Sequence, residues 1–517
     1  MYVVRRSGVA GLLTGLAGLA VSYLVGQLLA SGEWPVAAVA ERIIEHAPGP
    51  LAERAIDLVG TADKPILVWG IVVVVALVAG ALSRVASPWI PIAGYIVLAA
   101  VGVAAIAGQP GDAELAPLSV AAGFVTWVVV HALFRAAVEP RAPDVLHADP
   151  GVLRAERQVP GGGSGVSRRF VVTAGLVAIG TVVAAYLGRA KALGRERIEN
   201  ARRLLRLDGV NPPPVDPSYD SGVPGQQPWL TPVEEFYRID TAIVPPTVDP
   251  DTWRLRVHGL VDHPLELSLD QLMMREVTED WVTLTCVSND VGGDLVGNAW
   301  WSGVRIAPLL EQAGIQPDAD AVLQTSADGW TCVTPLAALT DGRNALLAVA
   351  QNGDPLTIEH GFPVRMVVPG LYGYVSATKW LVDLEVTRFD QAQGYWIERG
   401  WAEQGPIKLA SRIDVPGVGE QVSAGKVTLA GTAWQQHTGV AGAQVSLDGG
   451  DWRDADLAAT PGVDTWVQWR IEYDVEPGEH QVQVRAVSAT GEVQTAVVAG
   501  SAPDGATGWH TITFRAG

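Results

Sequence analysis

The chain has 517 residues, of which 48% are hydrophobic and 18% charged, and its formal net charge is −19. This acidity excludes nucleic acid as a partner, because phosphate binding requires concentrated Lys and Arg. Two cysteines exclude a disulfide scaffold, a four-cysteine zinc site and a ferredoxin-type cluster, and 18 tryptophans exclude a largely disordered chain.

Five uncharged apolar stretches lie before residue 189. They are Gly8–Ala30, Pro65–Ser83, Val85–Gly111, Leu115–Phe134 and Phe170–Gly188. Each approaches the ~20 residues that a helix needs to cross a bilayer. Residues 1–188 are therefore predicted to form an all-α membrane domain with five spans.

The basic residues predict the orientation of these spans. With the N-terminus inside, the outside loops hold only Arg42, Arg54 and Lys64. The inside segments hold Arg5, Arg6, Arg84, Arg135, Arg141, Arg154, Arg157, Arg168 and Arg169. This bias follows the positive-inside rule, although four basic residues soon after the last span count against it: Arg189, Lys191, Arg195 and Arg197. An odd number of spans then places the remaining chain on the extracytoplasmic side of a bacterial cell membrane.

The fifth stretch begins with Ser167-Arg168-Arg169-Phe170 after the Gly-rich run 161–165. This pattern is similar to a twin-arginine export signal, and it is equally typical of two arginines anchoring a helix start. Residues 189–231 are predicted to form an amphipathic juxtamembrane helix, about 189–206, and a Pro- and Gly-rich linker, 211–228.

The rest of the chain is predicted to form two further domains. Over 232–412, short strands such as Trp253–His258 alternate with short helices such as Ile306–Ala313, which predicts an α+β domain. Over 413–517, about seven short strands are broken by turn residues, including the hairpin signal Asp448-Gly449-Gly450. This pattern predicts an immunoglobulin-like β-sandwich, with most tryptophans in both domains serving as core.

Cys286 ends a β-branched stretch, Trp281–Thr285, and enters a Gly-rich loop. A cysteine at such a position is predicted to face a cavity. Two alternatives are a buried, inert thiol and a disulfide with Cys332.

The surrounding motifs identify a family. Cys286-Val287-Ser288-Asn289, Trp301-Ser302-Gly303-Val304 and His360-Gly361-Phe362-Pro363-Val364-Arg365, followed by Lys379-Trp380-Leu381, resemble the sulfite oxidase family of molybdopterin enzymes. Gly478-Glu479-His480 and the hairpin signal Asp448-Gly449-Gly450 resemble the family's dimerisation domain. The resemblance extends from about Pro232 to the C-terminus.

The resemblance implies a set of site residues. Cys286 would be the thiolate ligand of molybdenum and, with Arg238, a catalytic residue. The implied cofactor contacts are Phe236, Tyr237, Arg238, Cys286, Asp328, His360, Arg365, Ser376 and Lys379, with Thr378 as an alternative to Ser376 and with Phe236–Arg238 in a strand entering the site. Taken singly, His360 could cap a turn, Arg365 could pair at the surface and Lys379 could be solvated.

Departures from the family pattern argue against sulfite as the substrate. Asn289 is followed by Asp290 and Val291 where sulfite-oxidising members have arginine. Val349 aligns with their active-site tyrosine, and Asp240 replaces a histidine near Arg238. A sulfoxide or another small oxyanion fits this pattern at least as well.

The implied cofactor is molybdenum-molybdopterin, acting by two-electron oxygen-atom transfer on a small-molecule substrate. No haem or iron–sulfur cluster is expected: the sequence has no Cys-x-x-Cys-His motif, and His131 is the only histidine within the spans. The expected electron partner is a separate cytochrome or quinone-linked protein, and the expected oligomer a homodimer. Two rivals are a non-catalytic membrane receptor that binds a partner through the sandwich and a hydrolase with Cys286 as nucleophile.

Overall fold

The computed structural model describes residues 2–28, 34–46, 63–85, 87, 89–106, 116–138, 168–191, 193–242 and 245–517. The chain divides into two compact units, Met1–Glu196 and Arg197–Gly517. The Gly-rich run 161–165 and Ser167 of the export-signal pattern lie outside the described residues. The predicted domain boundaries at 188, 231 and 412 stay predictions.

The described part of the chain begins with helices. They are α1 (Tyr2–Leu28), α2 (Pro35–His46), α3 (Asp63–Leu82), α4 (Trp89–Ile106), α5 (Ala116–Val138), α6 (Arg168–Lys191) and α7 (Leu193–Leu204). By length and composition, α1, α3, α4, α5 and α6 could each cross a membrane. The prediction of five apolar helices is confirmed. Helix α2 lies in a segment that the hydropathy pattern assigns to a loop, because its apolar residues alternate with Glu41, Arg42 and Glu45.

Close packing around α1 organises the first unit. Helix α1 contacts α3, α5 and α6. A Cβ at Gly18 would lie 2.1 Å from Trp127 Nε1, and that indole donates to the Gly15 carbonyl at 3.1 Å. Small residues therefore allow the helices to approach closely, as in membrane bundles.

His131 is buried within this unit, and its Nδ1 lies 3.3 Å from both Ser83 Oγ and Tyr95 Oη.

The second unit begins with two five-stranded sheets. In the order of pairing, the first contains β2 (Leu265–Ser268), β1 (Arg254–Gly259), β10 (Leu381–Thr387), β5 (Ala321–Ser326) and β6 (Thr331–Pro335). The second contains β3 (Val277–Thr285), β4 (Val296–Arg305), β7 (Leu346–Gln351) and β8 (Asp354–Pro355), with β9 (Arg365–Val367) also paired to β7. Short helices α8 (Leu269–Met273), α9 (Ile306–Ala313) and α10 (Leu336–Thr340) connect the strands. This arrangement agrees with the predicted mixture of strands and short helices.

Two further sheets, here called the C-terminal sheets, complete the unit. One contains β11 (Ala410–Val415), β13 (Gly425–Trp434), β17 (Val467–Val475) and β16 (Asp456–Leu457). The other contains β12 (Gln421–Val422), β19 (His510–Ala516), β18 (Gly478–Ser488), β14 (Val440–Leu447) and β15 (Arg453–Asp454). They share one hydrophobic core. The short strands predicted over 413–517 are present, while the immunoglobulin-like class stays a prediction.

The Pro- and Gly-rich segment lies along the C-terminal sheets. The Ser221 N–H donates to Gln468 Oε1 at 2.7 Å, and Gln226 Nε2 donates to the Gly431 carbonyl at 2.6 Å. Apart from one 3-10 turn at Pro217–Tyr219 the segment is irregular, and hydrogen bonds to the C-terminal sheets satisfy polar groups that it cannot pair within itself.

Candidate functional site

A cavity in the second unit collects most of the residues that the sequence singled out. Its volume is about 910 Å³ including the part open to solvent. Of the predicted site residues, it is lined by Phe236, Tyr237, Cys286, Asp328, His360, Arg365 and Lys379. Arg238 and Ser376 are not among the described residues that line it.

A tight loop presents Cys286 to this cavity. The Cys286 N–H donates to the Leu295 carbonyl at 2.9 Å, and the Asn289 N–H donates to the Cys286 carbonyl at 3.1 Å. Buried Asn289 closes the loop, because its Oδ1 accepts the Leu295 N–H at 2.8 Å. The Cys-Val-Ser-Asn pattern is therefore a loop in which the asparagine fixes the position of the thiol.

The thiol itself is buried and free. Cys286 is 8% exposed, and neither cysteine forms a disulfide in the structure. Burial raises the pKa of the Cys286 thiol, while hydrogen bonds from the Ser288 N–H and hydroxyl lower it in part. Ser288, which is not among the predicted site residues, thus donates to the sulfur.

His360 is neutral and held in one tautomer. Its Nε2 lies 3.1 Å from the Val233 carbonyl, which can only accept, so Nε2 carries the proton and Nδ1 is free to accept. Burial and the nearby Arg365 and Lys379 charges lower the pKa of His360 to about 4. This side chain therefore does more than cap a turn.

Arg365 is a buried cation with few partners. It is 5% exposed, its Nη1 reaches the His360 carbonyl at 3.3 Å, and its Nε reaches the Met366 carbonyl at 3.5 Å. The guanidinium lies 5.0 Å from the centre of the Trp301 ring. Burial lowers the pKa of Arg365 to about 10. Within the described ranges no carboxylate forms an ion pair with it, which leaves an uncompensated charge at the cavity wall.

Lys379 and Arg238 share one carboxylate. Lys379 Nζ lies 2.7 Å from Asp240 Oδ2, and Arg238 Nε lies 2.9 Å from the same oxygen. Burial lowers the pKa of Lys379 to about 8, and Asp240 partly offsets this effect. Asp240 itself lines the cavity and is 5% exposed, whereas Arg238 is 38% exposed, so Arg238 reaches the cavity wall only through this carboxylate.

Two other predicted features differ in the structure. The Ser376 hydroxyl donates to the Tyr372 carbonyl at 2.9 Å and is fully buried, while Thr378 Oγ1 lies 3.2 Å from Cys332 Sγ. Phe236–Arg238 follows a turn at 233–235 and is irregular, so the predicted strand there is wrong.

Aromatic side chains form a second part of the wall. Trp330, Tyr374, Trp396 and Trp401 line the cavity, with the Tyr374 and Trp401 rings 5.8 Å apart. Most tryptophans are predicted to be core residues, which holds for the many buried ones but not for these three in the cavity wall. No periodic signal marks them, because Trp396 and Trp401 flank a short turn at Ile397–Arg399.

Comparison with known proteins supplies the family. A family model described as the oxidoreductase molybdopterin binding domain matches residues 241–396. The oxidoreductase YuiH of Bacillus subtilis, described as uncharacterized, is 38% identical over 170 residues, which are 33% of this chain and 82% of that protein. The chain belongs to the sulfite-oxidase-like molybdopterin oxidoreductases. It is therefore an enzyme.

More distant relatives cover more of the chain. Human mitochondrial sulfite oxidase is 31% identical over 320 residues, which are 52% of this chain and 58% of that protein. Thus this oxidoreductase spans a little over half the length of that relative. The sulfane dehydrogenase SoxCD of Paracoccus pantotrophus is 22% identical, with a TM-score of 0.49, over 61% of this chain and 88% of that chain.

The wall of the cavity fits the cofactor that this family implies. Molybdopterin carries a phosphate and binds its metal through sulfur, so it needs cationic groups and a soft protein ligand nearby. Arg365 has N–H donors to spare and no carboxylate partner within the described residues, and Cys286 is the cysteine that lines the same cavity. A buried cation of this kind is costly unless an anion joins it.

The low pKa of His360 predicts a pH dependence of stability. Between pH 6.5 and about 4 His360 is protonated in the unfolded chain but stays neutral in the folded chain. Folding stability is therefore lost as the pH falls through this window. His360→Gln keeps a donor for the Val233 carbonyl without titrating, so its free energy of unfolding should fall less steeply from pH 6.5 to 4 in urea titrations.

His480 offers a control of opposite sign. Its hydrogen bond to Asp448 raises its pKa, so it stabilises the fold at low pH and less as the pH rises. His480→Gln should therefore steepen the acid loss of stability. An unchanged slope in His360→Gln would contradict the neutral, buried state of that imidazole.

Proposed function

We propose that this oxidoreductase binds molybdenum-molybdopterin with Cys286 as the protein ligand of the metal. The observation that carries the proposal is one cavity in which a buried thiol faces the same space as a buried arginine without a carboxylate partner among the described residues. When bound, the cofactor supplies two-electron oxygen-atom transfer. Haem and iron–sulfur clusters are not part of this proposal.

The chain's own residues would hold the cofactor in distinct ways. Cys286 would supply a thiolate, which a metal cation stabilises although burial alone favours the thiol. Arg365 and Lys379 would bind the anionic part, with Lys379 kept near Asp240. His360, neutral and with Nδ1 free, would accept a hydrogen bond, and Phe236, Tyr237 and Asp328 would line the same space.

Arg238 and Ser376 have indirect roles in this proposal. Arg238 would act through Asp240, since both it and Lys379 bind that carboxylate. Ser376 would hold the loop, because its hydroxyl donates to the Tyr372 carbonyl. Neither needs to touch the cofactor.

Metal content tests the assignment of Cys286. The full chain purified from a molybdenum-replete host should contain about one molybdenum per chain, as expected for a single thiolate site. Cys286→Ser should lose the metal, whereas Cys332→Ser, whose thiol is buried against Thr378, should retain it. Metal analysis by mass spectrometry measures both, and a Cys286→Ser protein with full metal content would sink the proposal.

For the substrate, we propose a sulfoxide-like compound in preference to sulfite. Lys379 is paired with Asp240, so the cavity offers little free positive charge for a small dianion once Arg365 holds the cofactor. The wall formed by Trp330, Tyr374, Trp396 and Trp401 suits an organic substituent. Val349, which aligns with the family's tyrosine, is buried within β7 and is not among the described lining residues, so that departure carries no weight.

An assay with an artificial dye distinguishes the two substrates. A sulfoxide would consume two electrons and two protons to give a sulfide and water, whereas sulfite would consume water to give sulfate, two protons and two electrons. We expect reduced-dye oxidation with methyl phenyl sulfoxide to exceed sulfite-dependent dye reduction at least about tenfold, a barrier difference of ~1.4 kcal/mol. Cys286→Ser protein is the control, and faster turnover of sulfite would contradict the proposal.

We also propose that the five apolar helices anchor the enzyme in a bacterial cell membrane, with the second unit on the extracytoplasmic side. Apolar side chains such as Val74, Leu77, Val97 and Leu176 are exposed on these helices, as lipid-facing residues would be. The positive-inside bias and the twin-arginine-like pattern support this side. A separate cytochrome or quinone-linked protein would exchange electrons with the site, and the C-terminal sheets, proposed to be immunoglobulin-like, would form a homodimer.

Thiol labelling of intact cells tests the orientation. Asp451 is exposed in the second unit, and Val85 is exposed just after α3, next to Arg84 of the predicted inside segment, while both native thiols are buried. A membrane-impermeant maleimide should label Asp451→Cys in intact cells and Val85→Cys only after permeabilisation. The reverse pattern would overturn the proposed side.

A further inference from the structure

Strand β3, which leads to Cys286, lies at the edge of its sheet. An edge strand leaves a row of backbone groups without partners in its own sheet. Here the loops of the C-terminal sheets supply hydrogen-bond partners for this edge. The Thr283 N–H donates to the Asp464 carbonyl at 2.9 Å, and the Trp466 N–H donates to Thr283 Oγ1 at 2.8 Å.

Gln436 makes the contact nearest to the cysteine. This residue follows β13 and is 2% exposed. Its Nε2 donates to the Thr283 carbonyl at 3.0 Å and to Thr285 Oγ1 at 2.9 Å. Thr285 directly precedes Cys286. The Gln436 amide therefore uses both of its hydrogens to hold the last residues of β3 before the thiol.

The C-terminal sheets also hold the loop after the cysteine. Arg412 Nη1 on β11 donates to the Gly293 carbonyl at 2.8 Å. The His510 imidazole, whose Nδ1 accepts the Ile413 N–H at 2.9 Å, packs against Gly292. Gly292 has φ +81°, and a Cβ there would lie 2.2 Å from His510 Nε2. The imidazole therefore approaches the backbone of this loop as closely as glycine allows.

We propose that Gln436 is a positioning residue for Cys286, acting through Thr285, and that this one contact from the C-terminal sheets fixes the strand end that carries the thiol. Its importance for catalysis rests on the proposed function, in which Cys286 is the metal ligand. Both flanks of the thiol are fixed from outside its own sheet. Loss of the Gln436 amide would leave Thr283 and Thr285 without these donors and would let the end of β3 open locally.

A matched control separates positioning from simple docking of the C-terminal sheets. Gln468 is equally buried on β17, but its Nε2 donates to the Gln227 carbonyl at 2.7 Å and its Oε1 accepts the Ser221 N–H at 2.7 Å. It therefore binds the Pro- and Gly-rich segment and not β3. Gln436→Leu and Gln468→Leu remove the same group from equally buried sites.

The test measures access to the Cys286 thiol in full-length, cofactor-free protein, produced in a host that lacks molybdopterin and purified in detergent. Alkylation by iodoacetamide is followed at each cysteine by peptide mass spectrometry. We expect Gln436→Leu to raise the rate at Cys286 about tenfold, which corresponds to ~1.4 kcal/mol of lost local hydrogen bonding. The rate in Gln468→Leu should stay near that of the unmodified protein. Equal rates in Gln436→Leu and the unmodified protein, or equal acceleration in both variants, would overturn the proposal.

A second variant keeps the proposal testable if Gln436→Leu does not fold. Thr285→Val removes only the hydroxyl that Gln436 contacts, and it should also raise the alkylation rate at Cys286. In the double variant the two effects should be less than additive, since the two substitutions remove the same Gln436–Thr285 hydrogen bond. Full additivity would contradict the route through Thr285.

The cofactor-loaded protein provides a separate readout. Gln436→Leu should retain molybdenum but change the electron paramagnetic resonance signature of the reduced metal, whereas Gln468→Leu should not. An unchanged signature in Gln436→Leu contradicts the positioning role. Retention of molybdenum in Cys286→Ser would instead refute the proposed function and leave the alkylation result unaffected.

Discussion

An edge strand leaves half of its backbone hydrogen-bonding groups without partners in its own sheet, and β3, which ends next to Cys286, is such a strand. The position of the backbone on both sides of Cys286 depends on how this edge is covered. The Asp464 carbonyl accepts the N–H of Thr283, and the Gln436 amide donates to the carbonyl of the same residue. Arg412 donates to the carbonyl of Gly293 beyond the cysteine. A thiol held in this way can be buried and still face a cavity without being carried along by a mobile loop.

The same cavity concentrates positive charge in an acidic protein. The chain has a formal net charge of −19, yet Arg365 and Lys379 are 5% and 9% exposed. Desolvation lowers the pKa of both side chains. Asp240 compensates Lys379 but not Arg365 among the described contacts. Burying a cation in this way is unfavourable for the isolated fold and favourable once an anion is bound, so the site is built for a charged ligand.

Much of this was accessible from sequence, for reasons specific to each element. The five apolar helices are predictable because an uncharged run of bilayer length has few other structures available. Helix α9 was predicted at Ile306–Ala313 with the bounds that the structure has. The motif around Cys286 and the run His360–Arg365 led to the family, and seven of the predicted site residues line one cavity. Arg238 and Ser376 were grouped with them because alignment with a motif does not show where a side chain points.

The sequence by itself determined the class of chemistry, because a single cysteine in a recognisable loop and a run ending in a buried arginine are local patterns. Only the tertiary structure decided which residues share the cavity. Arg238 and Lys379 meet at Asp240 in the cavity wall, Trp396 and Trp401 enter from a turn, and Gln436 reaches β3 from a position 150 residues beyond Cys286. Such contacts join residues far apart in the chain, and their partners are set by packing between sheets, which no local pattern records.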